Sequence, residues 1–149
     1  MNERDIEGSV IATARELGIG IVAYAPLGRG FLSATFSTRD QIPSNDFRNT
    51  RPRFTEENFD QNMAKEFFEY AKKKNCTPAQ LALAWLHAQG DDIFPIPGTK
   101  TAARVEENLG ALKVKLTAKE AKEVGDAVPA AKGERYEEAS MTATFNYRM

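Results

Sequence analysis

The spacing of apolar residues along the chain predicts an alternation of helices and short strands. Apolar positions that recur every three or four residues predict helices over residues 3–17, 59–74, 77–90, 101–112 and 117–128. Two short runs rich in β-branched residues, 19–24 and 93–96, predict buried parallel strands. Strands that alternate with helices are typical of βα units in an α/β fold. Two strands cannot form a full sheet, so the pattern indicates one part of a larger structure.

Capping signals predict where three of these helices begin. Thr77 and Thr117 are followed at the third position by Gln80 and Glu120, which is the pattern of a capping box. Thr101 is predicted to cap the helix between them.

Two segments lack a sustained periodicity. Residues 31–58 contain prolines, polar turns and several arginines, and a stretch of this length is usually a functional or disordered loop. The tail, 129–149, carries no clear element. The apolar stripe of the helix over 59–74 is interpreted as core packing. We therefore predict one domain over residues 1–149 that includes a loop, 31–58, and the tail, 129–149.

Composition and charge narrow the class of protein. Of the 149 residues, 42% are hydrophobic and 28% charged, and the formal net charge is -1, as in an ordinary soluble globular protein. This balance argues against a nucleic-acid or membrane-surface partner. No apolar run approaches the roughly 20 residues of a membrane span. The N-terminus shows no signal or transit peptide, so a cytoplasmic location is expected.

The chain has one cysteine and one histidine. Cys76 excludes an intrachain disulfide and fits a reducing compartment. It lies beside a predicted helix N-terminus, which could lower the pKa of its thiol, although a structural thiol is the favoured interpretation. His87 lies on a predicted helix, where a surface or packing role is favoured over a catalytic one.

The turn after the second strand has the pattern of an anion site. Gly98 lies between the strand end and a helix N-terminus, where free backbone N–H groups and the helix dipole favour a phosphate. Lys100 lies just before that helix, and Arg104 lies one turn inside it. Both side chains can point toward the anion, and an arginine can bind phosphate with two parallel hydrogen bonds.

Two polar residues share the helix face of Arg104. Glu107 and Asn108 follow it by three and four residues, and a carboxylate with an amide suits the exocyclic amine of an adenine. The alternative, an exposed amphipathic helix with ordinary charge pairs, is equally compatible with the spacing.

The end of the first strand offers a second candidate. Tyr24 can present its ring as a stacking surface, and the glycines of Leu27-Gly28-Arg29-Gly30 can bring backbone N–H groups close to a pyrophosphate. The alternative is a packed core tyrosine followed by a turn, and that interpretation is favoured without further context.

Four segments together resemble the aldo-keto reductase family, specifically its plant and microbial NADP-dependent subgroup. Gly18–Leu32 resembles the seventh-strand signature, and Ile96–Lys100 followed by Arg104 and Glu107-Asn108 resembles the eighth. Asp46-Phe47-Arg48, Pro52-Arg53-Phe54 and Glu57-Asn58-Phe59 resemble the subgroup's loop, and Thr77–Trp85 resembles its seventh barrel helix. The resemblance runs from about residue 4 to residue 128.

The resemblance implies a partial TIM (β/α)₈ barrel that covers strands 7 and 8 with their flanking helices, from helix 6 to the C-terminal tail. It also implies an NADP cofactor, NADPH in preference to NADH. The implied contacts are Tyr24 on the nicotinamide, Leu27, Gly28 and Arg29 along the pyrophosphate, Gly98 in the eighth-strand turn, Thr99, Lys100 and Arg104 at the 2′-phosphate, and Glu107 and Asn108 at the adenine.

The family's catalytic aspartate, tyrosine, lysine and histidine lie on the first half of the barrel, and we expect none of them here. Tyr70, Tyr136 and Tyr147 match no catalytic motif, and no residue is assigned as catalytic or as a metal ligand. The implied function is hydride transfer between NADPH and an aldehyde or ketone. This chain would supply the cofactor-binding half and be inactive alone, and a complementary N-terminal half barrel is a candidate partner. A catalytically inactive nucleotide-binding or regulatory half-barrel module and a degenerate remnant are the alternatives.

Overall fold

The computed structural model describes residues 7–141, and they form two compact units. The first unit contains residues 7–35 and Ala64–Val128. The second contains Phe36–Met63 and residues 129–141. Most of the segment predicted to be a loop therefore groups with the described part of the tail.

The regular elements are short. In chain order the helices are α1 (Ala12–Glu16), α2 (Glu56–Asn62), α3 (Lys65–Lys73), α4 (Pro78–His87), α5 (Ala102–Leu109), α6 (Ala118–Asp126) and α7 (Glu138–Met141). The strands are β1 (Ile21–Tyr24) and β2 (Ile93–Ile96). A π-helical turn, Glu7–Ile11, precedes α1, and 3-10 turns occur at Gly28–Gly30, Arg39–Gln41, Phe47–Thr50, Pro52–Phe54 and Gly110–Lys113. Helices α2 and α7 lie in the second unit, and the remaining helices and both strands lie in the first.

Strands β1 and β2 pair in parallel, as predicted, in a sheet that has two strands within the described residues. The register aligns Ile21 with Ile93 and Tyr24 with Ile96. A parallel pair needs both faces covered, and the described residues cover only one of them. One face packs on the core, whereas the other exposes more than half of four apolar side chains, namely Val22, Tyr24, Phe94 and Ile96.

The core of the first unit forms where α3, α4 and α6 meet the sheet. Phe67, Leu81 and Val124 are each 0% exposed. The indole Nε1 of Trp85 donates a hydrogen bond of 2.7 Å to the carbonyl of Ala121, which joins α4 to α6. Helix α4 is buried over Leu81–Leu86, and burial of each large apolar side chain contributes roughly 2 kcal/mol.

The first predicted helix is confirmed over the part that the structure describes. Within the described residues, the π-helical turn and α1 cover residues 7–16, and the helix ends before Gly18 as predicted. Val10 and Leu17, from the predicted apolar stripe, are exposed. Arg15 holds α1 near the start of β2 through an ion pair of 2.7 Å between its Nε and the Asp92 carboxylate. This ion pair lowers the pKa of Asp92.

The three predicted capping residues are confirmed. The Oγ1 atoms of Thr77, Thr101 and Thr117 accept hydrogen bonds from the backbone N–H groups three residues later, at 3.2, 3.3 and 3.3 Å. In α4 and α6 the N3 side chain also accepts from the threonine N–H, which completes the capping box.

The second unit is more ordered than its sequence pattern predicted. The single helix expected over 59–74 is wrong, because α2 ends at Asn62 and α3 begins at Lys65. The rings of Phe36, Phe54 and Phe59 form a small apolar centre, with the Phe36 centroid 6.0 and 5.7 Å from the other two.

A buried amide fixes part of the tail within this unit. Asn62 is 2% exposed. Its Nδ2 donates to the carbonyls of Arg53 and Lys132 at 3.0 and 2.9 Å, and its Oδ1 accepts from the Lys132 N–H at 2.7 Å. The side chain therefore satisfies both main-chain groups of Lys132, which explains why a buried polar residue is stable here.

Candidate functional site

The carboxyl ends of β1 and β2 lie side by side in the first unit. Tyr24 and Ile96 are register partners at the last position of each strand. The two segments that follow, from Ala25 and from Pro97, therefore leave the same edge of the sheet. Ligands of α/β folds bind at this edge, because loops that follow adjacent parallel strands converge there.

The segment after β1 bends sharply. Ala25, Gly28, Arg29 and Gly30 have φ values of 50, 57, 55 and 115°. Such angles favour glycine, and a non-glycine residue such as Arg29 in this region is uncommon. The Leu27 side chain packs against the core, and Arg29 is half-buried.

Tyr24 presents its ring at the strand end. The residue is 53% exposed, so the alternative of a packed core tyrosine is wrong. An exposed aromatic ring at the end of a barrel strand offers a stacking surface for a planar ligand.

Hydrogen bonds hold the segment after β2 in place. Thr99 Oγ1 donates to the Pro97 carbonyl at 3.1 Å and accepts from Asn108 Nδ2 at 3.0 Å. Asn108 lies on α5, so this pair joins the turn to the helix that follows it. Gly98 has open space around its Cα, because a Cβ placed there would meet nothing within 4 Å.

The first turn of α5 is exposed to solvent and carries positive charge. Its first turn consists of Ala102, Ala103 and Arg104 and follows the exposed Lys100. The described residues give the Lys100 ammonium group no ion-pair partner. The Arg104 guanidinium contacts the Glu107 carboxylate at 3.3 Å, with half of the arginine side chain exposed. This is the charge pair of an ordinary exposed helix, so that alternative remains compatible with the contacts.

The sequence reasoning missed two contacts around α5. It treated Thr99 and Asn108 as independent ligand contacts, whereas the structure bonds them to each other. It also assigned Gln80 only a capping role, whereas Gln80 Nε2 donates to the Glu107 carbonyl at 3.0 Å. Both contacts cross a turn or join two helices, so neither helical nor strand periodicity could have indicated them.

The histidine and the other tyrosine side chains belong to other elements. His87 is exposed at the end of α4. Tyr70, on α3, donates its hydroxyl to Glu123 at 2.8 Å, and this bond raises its pKa to about 12, which makes it a poor proton donor. Tyr136 lies in the second unit beneath the Arg51 guanidinium, 5.5 Å from its ring centroid. Tyr147 lies outside the described residues.

Cys76 is a structural thiol. Its Sγ donates to the Ala71 carbonyl at 3.7 Å. The lowered pKa considered from its position beside α4 is wrong, because burial raises the pKa of the Cys76 thiol and the nearby Lys74 opposes this only in part.

Residues 7–141 contain neither a metal-binding cluster nor a membrane-spanning helix. No cluster of three histidine, cysteine, aspartate or glutamate residues there has the arrangement needed to hold a metal ion. None of the helices described has both the length and the apolar composition required to cross a membrane.

Comparison with known proteins places the chain in a family. Residues 1–128 match the model of the Aldo/keto reductase family. The chain is 49% identical over 134 residues to the aldo-keto reductase yakc, NADP(+), of Schizosaccharomyces pombe, a match that covers 87% of this chain and 39% of that relative.

Two solved structures are similar as well. The glycerol dehydrogenase of Gluconobacter oxydans matches 84% of this chain with a TM-score of 0.74 at 28% identity, over 38% of its own length. A thermostable aldo-keto reductase in complex with the inhibitor epalrestat matches 84% of this chain with a TM-score of 0.57 at 25% identity, over 36% of its own length. The chain thus spans less than two fifths of the length of these relatives. Since the family model matches well over half of the chain, the protein belongs to the aldo/keto reductase family, as its motifs predicted, and its α/β fold corresponds to part of that family's barrel.

Proposed function

We propose that this chain forms the NADP(H)-binding end of an aldo-keto reductase barrel, with β1 and β2 as its seventh and eighth strands. The observation that carries the proposal is the pairing of Tyr24 with Ile96. This register brings the glycine turn and the cationic start of α5 to one edge of the sheet. In TIM barrels the phosphate site is frequently built from the loops after these two strands.

The start of α5 fits the 2′-phosphate of NADP(H). The free N–H groups and the positive end of the helix dipole attract a dianion. In this proposal Lys100 and Arg104 supply the charge, and the Thr99 hydroxyl lies on the same turn. A hydrogen bond to a charged group contributes about 1.5–3 kcal/mol, so each cation is worth roughly a tenfold to hundredfold preference for the phosphorylated cofactor.

The remaining contacts follow the extended cofactor across the strand ends. Leu27, Gly28 and Arg29 would line the pyrophosphate, and the exposed Tyr24 ring would stack on the nicotinamide. When bound, NADPH supplies a hydride for reduction of an aldehyde or ketone. The residues of this chain would hold and orient the cofactor, and the protonation of the carbonyl oxygen would come from the rest of the barrel.

Glu107 and Asn108 would contact the adenine in this proposal. The pairs they form with Arg104 and Thr99 would have to open, or be shared, when the nucleotide binds. Both pairs are exposed and therefore weak, so this cost is small compared with the gain from the phosphate contacts.

The experiment compares NADP(+) with NAD(+) binding to the 149-residue chain by isothermal titration calorimetry. Lys100→Ala and Arg104→Ala are expected to weaken NADP(+) binding at least tenfold and to change NAD(+) binding much less. Lys113→Ala removes an exposed cation at the far end of the same helical segment and is the matched control. Equal losses for both cofactors, or an equal effect of the control, would refute the 2′-phosphate assignment.

A nucleotide-binding or regulatory module without catalysis is the second candidate. The proposed cofactor contacts all lie in the first unit, and Tyr70 in that unit has a pKa of about 12, which does not suit a proton donor. We expect the 149-residue chain alone to give no carbonyl-dependent oxidation of NADPH. Turnover of a generic aldehyde by the purified chain would contradict this expectation and would rule out a module without catalysis.

We also propose that the exposed face of β1 and β2 is the inner wall of the barrel. Val22, Phe94 and Ile96 would be covered there by further parallel strands, since exposed apolar faces and open strand edges favour association. A chain carrying the first six βα units of a relative is therefore the expected partner. Co-expression should give a one-to-one complex that Val22→Glu disrupts and the helix-surface substitution Lys119→Glu leaves intact.

A further inference from the structure

Gln80 forms hydrogen bonds with two helices at once. Its Oε1 accepts from the Thr77 N–H at 3.1 Å, which closes the capping box of its own helix, α4. Its Nε2 donates to the Glu107 carbonyl on α5 at 3.0 Å. One end of the amide therefore belongs to the start of α4, and the other end reaches the helix that carries Arg104, Glu107 and Asn108.

The space for this amide is provided by Gly110. A Cβ at Gly110 would overlap Gln80 Nε2, so any larger residue would displace the side chain. The close approach involves a glycine at the C-terminal end of α5. The Glu107 carbonyl accepts from the Gly110 N–H there, and Gln80 supplies a second donor to the same carbonyl.

Helix α5 depends on such contacts more than its neighbours do. Its residues are all exposed or half-buried, whereas α4 is buried over Leu81–Leu86. An eight-residue helix is marginal by itself in water, and little apolar burial fixes its orientation. The part-buried hydrogen bond from Gln80 therefore has a larger share in holding it than the exposed pair between Asn108 and Thr99.

We propose that Gln80 is a positioning residue for the nucleotide site, which fixes α5 in the orientation that presents Arg104, Glu107 and Asn108 at the strand ends. This inference rests on the proposed NADP(H) function. Gln80 acts through α5 and does not touch the cofactor. When the hydrogen bond to Glu107 is lost, a smaller fraction of the molecules holds α5 in the binding-competent orientation, and the apparent affinity falls by that fraction.

Gln80→Glu separates the two roles of the side chain. The carboxylate still accepts from the Thr77 N–H, so the capping box survives. It cannot donate to the Glu107 carbonyl at neutral pH, and it regains a donor when it is protonated. Gln89→Glu is the matched control, because Gln89 Nε2 donates to the Trp85 carbonyl at 2.9 Å at the C-terminal end of α4 and the substitution adds the same charge.

The test measures hydrogen exchange of the α5 amides and the affinity of the chain for 2′,5′-ADP. Gln80→Glu is expected to lower the protection of α5 and the affinity about fivefold at pH 7, with α4 unchanged, because a net hydrogen bond contributes about 1 kcal/mol. Relative to the wild-type chain at the same pH, protection should recover near pH 4. Gly110→Ala should produce the same loss without the recovery, and the double variant should be no worse than either single one.

The outcomes distinguish the positioning role from the proposed function. The positioning role would be overturned if Gln80→Glu left the α5 protection and the affinity unchanged, or if Gln89→Glu caused an equal loss. In either case, binding of 2′,5′-ADP by the wild-type chain would still support the nucleotide site. If the wild-type chain does not bind 2′,5′-ADP, the proposed nucleotide site is refuted. A loss of α5 protection in Gln80→Glu would then show that Gln80 is only a structural contact of α5.

Discussion

The starts of α5 and α6 share a threonine cap and differ at the third helical residue. Thr101 and Thr117 both accept a hydrogen bond from the N–H group of the third helical residue. At α6 that third residue is Glu120, whose carboxylate accepts from the Thr117 N–H at 2.8 Å. At α5 it is Arg104, which has only donors and cannot close the box.

The difference shows how one start is satisfied internally and the other is not. The carboxylate of Glu120 neutralises the positive end of the α6 dipole and occupies an N–H group. The start of α5 instead carries the cations Lys100 and Arg104, of which Arg104 is paired with Glu107. The threonine cap is therefore reinforced at α6, whereas the unclosed box at α5 fits the phosphate site that we propose there.

The largest effect is expected from Arg104→Gln, which converts the start of α5 into a closed capping box like that of α4. Binding of 2′,5′-ADP should weaken about thirtyfold, because a charge-assisted contact is lost. The free energy of unfolding should rise by a few tenths of a kcal/mol, because the box is completed. The two quantities are measured by calorimetry and by urea unfolding followed through the fluorescence of Trp85, the single tryptophan.

Lys113→Gln is the control for this prediction, since it removes a cation away from the helix start. A parallel loss of binding and stability in Arg104→Gln would mean that the arginine is a structural residue, and the contrast between the two helix starts would then have no bearing on ligand binding.

Removal of the two caps should have unequal costs. Thr117→Ala is expected to lower the free energy of unfolding by about 1–2 kcal/mol, and Thr101→Ala by about 0.5–1 kcal/mol, because only Thr117 belongs to a reciprocal box. Urea unfolding measures both. Thr13→Ala, at an exposed position of α1, should change little. Equal costs at the two caps would show that the Glu120 contact adds nothing.

Low pH should destabilise the start of α6 more than the start of α5. The ion pair with Lys74, of 2.6 Å, together with the Thr117 N–H, lowers the pKa of Glu120 to about 2. A carboxyl whose pKa is lowered on folding stabilises the fold above its unfolded pKa of about 4.3, and this contribution is lost as the pH falls toward 2.

An NMR titration of the Glu120 carboxyl and of the Thr117 amide checks this prediction. Both signals should change with a midpoint near pH 2, and Lys74→Ala should move the midpoint toward the ordinary value. A midpoint near 4.3 in the wild-type chain would contradict the stabilising ion pair and leave the two helix starts alike in acid.

The features that the sequence predicted correctly are those decided locally. The caps at Thr77, Thr101 and Thr117 depend on side chains three residues apart, and all three are present. The two strands also lie where short β-branched runs placed them, and the family follows from motifs that each span a few residues.

The features that it did not predict depend on distant partners. The break between α2 and α3 interrupts a continuous apolar spacing where Asn62 bonds to Lys132, seventy residues away. The pKa of Cys76 depends on its burial rather than on its neighbour along the chain.

The central claim is that the start of α5 binds the 2′-phosphate of NADP(H). The most direct measurement is amide chemical-shift mapping of the 149-residue chain during titration with 2′,5′-ADP and, separately, with 5′-AMP. The account predicts large saturable shifts at residues 99–104 with 2′,5′-ADP, much smaller ones there with 5′-AMP, and none at Thr117–Glu120. Equal responses to the two nucleotides, or equal shifts at both helix starts, would contradict it.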